Sequence, residues 1–275
     1  MTVISHDVDL IVTCYERTYR QVLAPGFLLG IEEANKFRFR RKIVLVNNVN
    51  SRQEAEALAR EGAAARELSE YQFVADRVDA AYQALGLRRS DFGRLPYYNE
   101  HFLVAMTLSG SPWFVHWDAE VTLAEPFDWI NPCVSYLINH PATFCANPDW
   151  GTGSLDRETL FRDGEFHIGY GFSDQLFLAR RSDVNRPIYR YFSLPSWRYP
   201  LTHVSWTFES SIYAYMRRNQ RYRVINPRAR YIHPQGPSTT ETVSLSPWEK
   251  IKRWCNKNAI RAIDRLPWKP ERWVF

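Results

Sequence analysis

Apolar positions fall along the chain in two rhythms. Short, continuous, β-branched runs, "DLIVTCY", "KIVLVNN" and "PWFVHWD", are too short for buried helices and each stops abruptly on polar residues, the pattern of strands buried on both faces. Between them run amphipathic stretches with start and stop signals. A helical stretch follows "ERTYRQ" to about Asn35. Ser51 and Glu54 open "NSRQEAEALAREG" in capping-box spacing. Ser69 and Gln72 repeat the device in "SEYQFVADRVDAAYQALG", which Gly86 ends. A further helix, "YNEHFLVAMTLSG", leads straight into the third strand. Strand, helix, strand in this order predicts right-handed parallel units and an α/β fold, a mostly parallel central sheet flanked by helices.

The second half is less regular. "FDWINPCVSYLINH" predicts a helix capped by Asp128, "ATFCAN" a strand, and "GTGSLDRETLFRDGEFHIGYG" a long glycine-punctuated loop. "SDQLFLAR" predicts a strand, "RSDVNRPIYRYF" and "TFESSIYAYMRRNQ" helices, and "YRVINP" and "ARYIHP" two closing strands. No internal repeat or low-complexity segment occurs. The organisation expected is a body over residues 1–245 and a tail over 246–275.

Charge separates these two parts. The net charge of +5 over 275 residues equals that of residues 246–275 alone, which hold eight Lys and Arg against three Asp and Glu, so the body is formally neutral. Ser246, Pro247 and Glu249 start a tail helix. Trp248, Ile251, Cys255, Ala259, Ile263 and Leu266 follow at helical spacing, with Lys252, Arg253, Lys257, Arg261 and Arg265 around them. Such a C-terminal amphipathic helix predicts contact with an anionic membrane surface rather than a nucleic-acid groove. Four scattered cysteines form no zinc or disulfide pattern, and no leader or span is recognisable. The expectation is a cytoplasmic protein, peripheral at the inner face of the membrane.

Ligands of open α/β sheets bind beyond the carboxyl ends of the strands. Three strands ending in "TCYER", "NNVN" and "HWDAE" therefore direct attention to one edge. Asp118 and Glu120, two residues apart on a strand, are expected to face one side, where two carboxylates can share a divalent cation. Glu209, in the first turn of a helix, is a candidate general base, and Asp174 in "GYGFSDQLF" competes for that role. Trp197, Tyr199 and Trp206, on an irregular aromatic segment, are candidates to stack on sugar faces at the acceptor. His116 is expected to pack beside its strand; His203 carries no signal.

This order of elements resembles the GT-A (Rossmann-like) glycosyltransferases, specifically the family-2-like enzymes of lipopolysaccharide and capsule synthesis. The likeness spans about residues 8–235. It rests on "VTCYER" as the first-strand loop, "VNN" as the second-strand end, and "YNEHFLVAMTLSGSPWFVHWDAEV" as a helix leading into the D-x-D strand. The resemblance implies a nucleotide-sugar donor held by Thr13, Tyr15, Glu16, Arg17, Asn47, Asn48, Asn99 and Asp118. It also implies Mn2+ or Mg2+ held by Asp118, Glu120 and His233, with Glu120 standing where a second Asp is usual. The acceptor implied is a saccharide, free or lipid-linked, in bacterial cell-surface polysaccharide synthesis, with inversion by a carboxylate base. Alternatives are a retaining transferase, a nucleotidyltransferase on a related fold, and a non-catalytic carbohydrate- or membrane-binding module. The nucleotidyltransferase is disfavoured because no glycine-rich loop follows the first strand.

Overall fold

The computed structural model of the chain describes residues 6–151, 155–233 and 244–264. Its strands are β1 (Val8–Cys14), β2 (Arg41–Val46), β3 (Glu70–Phe73), β4 (Trp113–Asp118), β5 (Thr122–Leu123), β6 (Thr143–Asp149), β7 (Phe161–Asp163), β8 (Phe166–Gly169), β9 (Leu176–Arg180) and β10 (Tyr222–Ile232). Its helices are α1 (Tyr19–Val22), α2 (Phe27–Asn35), α3 (Arg52–Ala64), α4 (Val74–Ala84), α5 (Pro96–Thr107), α6 (Ile130–Asn139), α7 (Leu155–Glu158), α8 (Arg181–Val184), α9 (Phe208–Arg218) and α10 (Pro247–Asp264).

Nine strands form one continuous path in the order β3-β2-β1-β4-β9-β6-β10-β8-β7, with β5 paired to β10. β3, β2, β1 and β4 are parallel neighbours, as are β6 and β10, whereas β9 runs against both β4 and β6. This is the expected α/β architecture: a mostly parallel core sheet flanked by helices. Every residue of β1 is buried, because the strand is covered on both faces. Alternate side chains serve two cores. Leu10, Val12, Val44 and Trp117 pack with α2, α3 and α6; Ile11, Ile43, Leu45 and Phe114 pack with α4, α5 and α9.

Several predicted elements change. Residues 70–73 form the parallel edge strand β3 instead of opening a helix at Ser69, since backbone pairing with β2 outweighs the local capping signal; α4 starts at Val74. The helix expected from "ERTYRQ" is split into α1 and α2 around Pro25 and Gly26. The long loop after Trp150 holds α7 and the β7–β8 hairpin, with residues 152–154 outside the described residues. "RSDVNRPIYRYF" is helical only over α8, because Pro187 cannot continue the ladder. The two closing strands are one strand, β10, irregular between Asn226 and Arg230.

One buried charge ties down the amino ends of the strands. Asp9, fully buried, accepts hydrogen bonds from Arg41 Nη2 (2.8 Å), Arg181 Nη2 (3.0 Å), Ser111 Oγ (2.7 Å) and Ser111 N (2.9 Å). Burial alone would raise its pKa, but Arg41 and Ser111 outweigh it and hold the carboxyl below its usual value. Arg41 on β2, Arg181 after β9 and Ser111 before β4 thus converge on β1. Asp9→Ala, which leaves two guanidinium groups without their buried counter-charge, is expected to cost about 3–5 kcal/mol in urea unfolding. A loss below about 1 kcal/mol would show that the network holds nothing.

Candidate active site

The carboxyl edge of β1 and β4 is where the polar strand ends meet. In the parallel register Thr13 lies opposite Asp118, the last residue of β4. The chain then turns: Val121 N donates to Asp118 O (3.0 Å), and Glu120 N donates to Asp118 Oδ1 (2.9 Å). The two carboxylates are therefore brought together by a turn, not by the two-residue period of a strand as the sequence suggested.

β5 then pairs antiparallel with the end of β10, Leu123 opposite Tyr231 and Thr122 opposite Ile232. His233 follows Ile232 directly, as Val121 and Glu120 precede Thr122. One ligand atom each from Asp118, Glu120 and His233 lies within 4.8 Å of the other two, and all three side chains are half-buried. Two carboxylates and an imidazole, close enough to contract onto one ion by small side-chain rotations, fit a divalent cation of the Mg2+ or Mn2+ kind.

β9 brings in a third carboxyl. Because it runs antiparallel to β4, it enters at this same edge: Asp118 N donates to Gln175 O (2.8 Å), and Asp174 precedes it. Tyr98, in the first turn of α5, donates its hydroxyl to Asp174 Oδ2 (3.3 Å). Burial first, then the nearby Asp118 charge, pushes Asp174 up to about 6. Burial chiefly, together with the neighbouring Glu120 charge, also raises Asp118, against its hydrogen bond from Glu120 N and the nearby His233.

The fourth carboxyl comes from α9. Thr207 and Ser210 form a reciprocal cap at its start, and Asn99 Oδ1 accepts from Phe208 N (2.6 Å) while Phe208 stacks on Phe102 at 4.5 Å. That clamp sets Glu209 in the first turn. Burial, then the charge of Asp174, drives its pKa well above the ordinary carboxylate value, with Arg198 pulling the other way. Arg198 Nη2 donates to Glu158 Oε1 (2.8 Å) and Arg223 Nη2 donates to Glu158 Oε2, so much of their charge is spent on Glu158. A Cβ on Gly171 would meet the Arg223 guanidinium at 2.5 Å, so a side chain there would displace it.

The donor-side candidates divide. Tyr15 and Arg17 reach the acidic cluster: Tyr15 Oη donates to Glu120 Oε2 (3.1 Å), and Arg17 Nη2 donates to Tyr15 Oη (2.8 Å). Thr13 is buried with Oγ1 3.3 Å from His116 Nε2; His116 itself stacks on Phe177 in the core, where burial lowers it to about 3. Glu16 accepts from Asn50 N (2.6 Å) and fastens the loop after β2 to the loop after β1. Asn47 is buried, while Asn48 is exposed in a left-handed conformation (φ 47°), so both stand at the strand end as expected. Asn99 is corrected: with no exposed surface, it also donates to Leu95 O (3.0 Å), and it clamps α9 instead of touching a donor.

On the expected acceptor side, Trp206 is exposed and meets Phe192 edge-to-face at 4.9 Å, and Phe192 in turn lies 6.1 Å from the half-buried Trp197. Tyr199 is corrected. It is buried, its hydroxyl donating to Phe172 O (3.2 Å) and accepting from Phe172 N (2.9 Å), so it props the loop before Asp174. Sequence reasoning missed Tyr98, one residue before the Asn99 it singled out. It also missed Arg198, Arg223 and Glu158, which no motif announces.

No protein-family model matches the chain, and no curated protein matches it. Solved structures do. The chain is similar to GalNAc-T7 with UDP, GalNAc and Mn2+ (11% identity, 98% of this chain and 52% of that one, TM-score 0.48). It is similar to TarS of S. aureus (10%, 96% and 40%, 0.49) and to glucosyl-3-phosphoglycerate synthase of Mycobacterium tuberculosis with Mn2+, UDP and glucosyl-3-phosphoglycerate (13%, 84% and 73%, 0.41). The chain spans about half the length of the first of these. At these identities and scores, any functional reading rests on the side chains at the sheet edge.

Those side chains hold a stability signature. A carboxyl whose folded pKa is raised stabilises the fold while protonated and loses that contribution as pH rises through the folded value. For Asp174 the window runs from about 3.8 to about 6. Asp174→Asn should therefore raise the melting temperature at pH 8 by about 2–4 °C, the equivalent of about 1 kcal/mol, and Glu209→Gln should raise it too. The gain should shrink toward pH 4.5 in differential scanning calorimetry. An equal gain at both pH values would contradict the assignment.

Proposed function

We propose that the chain is a GT-A-type glycosyltransferase that moves a sugar from a nucleotide-sugar donor to a saccharide acceptor with inversion at the anomeric carbon. The observation that supports this best is the meeting of Asp118, Glu120 and His233 within 4.8 Å at the carboxyl edge of the sheet, with Asp174 beside them and Glu209 next to Asp174. A divalent cation bound there supplies positive charge for the diphosphate leaving group. Asn47, Asn48 and Arg17 border the donor. Glu209 is the base: it accepts the acceptor hydroxyl's proton as that oxygen bonds to C1, while the C1–O bond to the diphosphate breaks and its electron pair leaves with the nucleoside diphosphate. A carboxyl with a raised pKa is the stronger base once ionised. Asp174, held by Tyr98, keeps Glu209 raised and lines the path between cation and acceptor.

The acceptor side supports a lipid-linked saccharide of the cell-surface polysaccharide kind. Phe192, Trp197 and Trp206 offer ring faces and edges to pyranose C–H surfaces. α10 packs against the 3-10 helix Leu194–Arg198 that carries Trp197, and Arg94 Nη1 pairs with Glu249 Oε2 at 2.6 Å. The tail's capping box forms, with Ser246 N donating to Glu249 Oε2 (2.8 Å). Docked this way, α10 leaves Trp248 66%, Ile251 52% and Trp254 68% exposed, with Lys250, Lys252 and Lys257 exposed as well. Leu266 and Arg265 lie outside the described residues, as does the rest of the tail from 265 to 275. Exposed tryptophans among lysines suit an anionic bilayer surface at the inner face of the cytoplasmic membrane. No helix among the described residues is long and apolar enough to cross a membrane.

Three outcomes follow. In a screen of UDP, GDP, dTDP and CMP, at least one nucleotide at about 100 times its Kd should stabilise the protein by about 2.7 kcal/mol, and the gain should depend on Mn2+. No shift with any of them would remove the donor-site reading. Glu209→Gln should lower transfer at least about 100-fold with nucleotide binding intact. Asp174→Asn should retain transfer while moving the acid limb of kcat/KM to lower pH, because a like charge beside Glu209 is gone; abolished transfer would make Asp174 the base. Third, Trp248→Ser with Trp254→Ser should reduce binding to phosphatidylglycerol vesicles at least 10-fold without changing the nucleotide shift, and unchanged vesicle binding would refute the membrane reading.

A further inference from the structure

A glutamate in a cation site has a problem that an aspartate does not: one more rotatable bond lets its carboxylate swing away from the ion. Asp118 is fixed directly, by the strand behind it and by the hydrogen bond from Glu120 N. Glu120 lies beyond the strand, in the turn, and its carboxylate has to be held by something else.

That something is Tyr15. Its hydroxyl donates to Glu120 Oε2 at 3.1 Å across a sequence separation of 105 residues. The tyrosine is itself anchored at its backbone. Tyr15 N donates to Thr18 Oγ1 (3.1 Å), and Tyr15 O accepts from Thr18 N and Tyr19 N (2.8 Å each), where α1 begins. Thr18 and Tyr19 are buried, so this turn is fixed to the core. At the other end of the phenol, Arg17 Nη2 donates to Tyr15 Oη at 2.8 Å, which points the hydroxyl proton at Glu120. The result is a directed chain, guanidinium to phenol to carboxylate, ending on one oxygen of Glu120 and leaving the other for an ion.

We propose that Tyr15 is a positioning residue that holds Glu120 as a one-oxygen ligand of the divalent cation, with Arg17 orienting the phenol. This rests on the cation site proposed above. It also gives a reason for the glutamate. The extra methylene carries the carboxylate one bond further from the turn, toward the phenol of the β1 loop. A partner of this kind that orients a metal-bound carboxylate is worth about 10- to 100-fold in metal affinity.

The test is a Mn2+ titration of the whole chain followed by electron paramagnetic resonance, which reads free ion and needs no turnover. Tyr15→Phe removes only the hydroxyl and should weaken Mn2+ binding about 10-fold, with the circular dichroism spectrum unchanged. Glu120→Gln should weaken it as well. In the Glu120→Gln background, Tyr15→Phe should have no further effect, because the two act through one contact. Unchanged affinity in Tyr15→Phe overturns the inference while leaving the cation site standing, and so does an equal loss with and without Glu120. A wild-type chain that takes up no Mn2+ overturns both together.

Discussion

Like charges packed at one sheet edge are the constraint around which the candidate site is organised. β4 and the turn after it bring Asp118 and Glu120 there, the loop before β9 brings Asp174, and α9 sets Glu209 next to Asp174. Burial and mutual repulsion raise Asp118, Asp174 and Glu209 above their ordinary values. A structural surface would spread such groups out or pair each with an arginine, as the opposite end of the sheet does around Asp9. At the carboxyl edge Arg198 and Arg223 are instead committed to Glu158, and Arg17 reaches Glu120 only through the Tyr15 hydroxyl. The remaining excess of negative charge at Asp118, Glu120 and Asp174 is what the proposed divalent cation would relieve.

The two ends of the sheet thus divide the labour. Asp9 at the amino end is charged, fully bonded and locks β1, β2, β4 and β9 together. That rigidity allows the other end to hold groups in states unfavourable for stability. The lock and the candidate site are separated along the strand axis, Asp9 lying four residues before Thr13, which stands opposite Asp118. The antiparallel strand β9 matters to both: Arg181 at its end joins Asp9, and Asp174 at its start joins Asp118.

Much of this was legible in the sequence. The three apolar runs, the capping signals of α3 and α10, and the polar strand ends pointed to the sheet edge, because local periodicity and turn chemistry dictate them. Asp118, Glu120 and His233 were all singled out, and they converge. What did not show was tertiary. Nothing local tells that residues 70–73 would pair as β3 rather than start a helix, or that the Asp118–Glu120 pair would close through a turn. Tyr98 and Asn99 are adjacent on α5, about 100° apart around its axis, so which faces the site and which the core depends on where α9 docks. Tyr199 read as a surface ring and is buried for a similar reason: the loop before Asp174 folds over it. Arg198, Arg223 and Glu158 meet across three elements, with no motif to announce them.

A crystal soaked with Mn2+ and a nucleoside diphosphate, with data collected at the manganese absorption edge, tests the central claim most directly. The account predicts one anomalous peak bonded to Asp118, Glu120 and His233 at about 2.1–2.2 Å, with the diphosphate on its open side toward the ends of β1 and β2. A peak at another place, or a diphosphate bound away from these three residues, would contradict it.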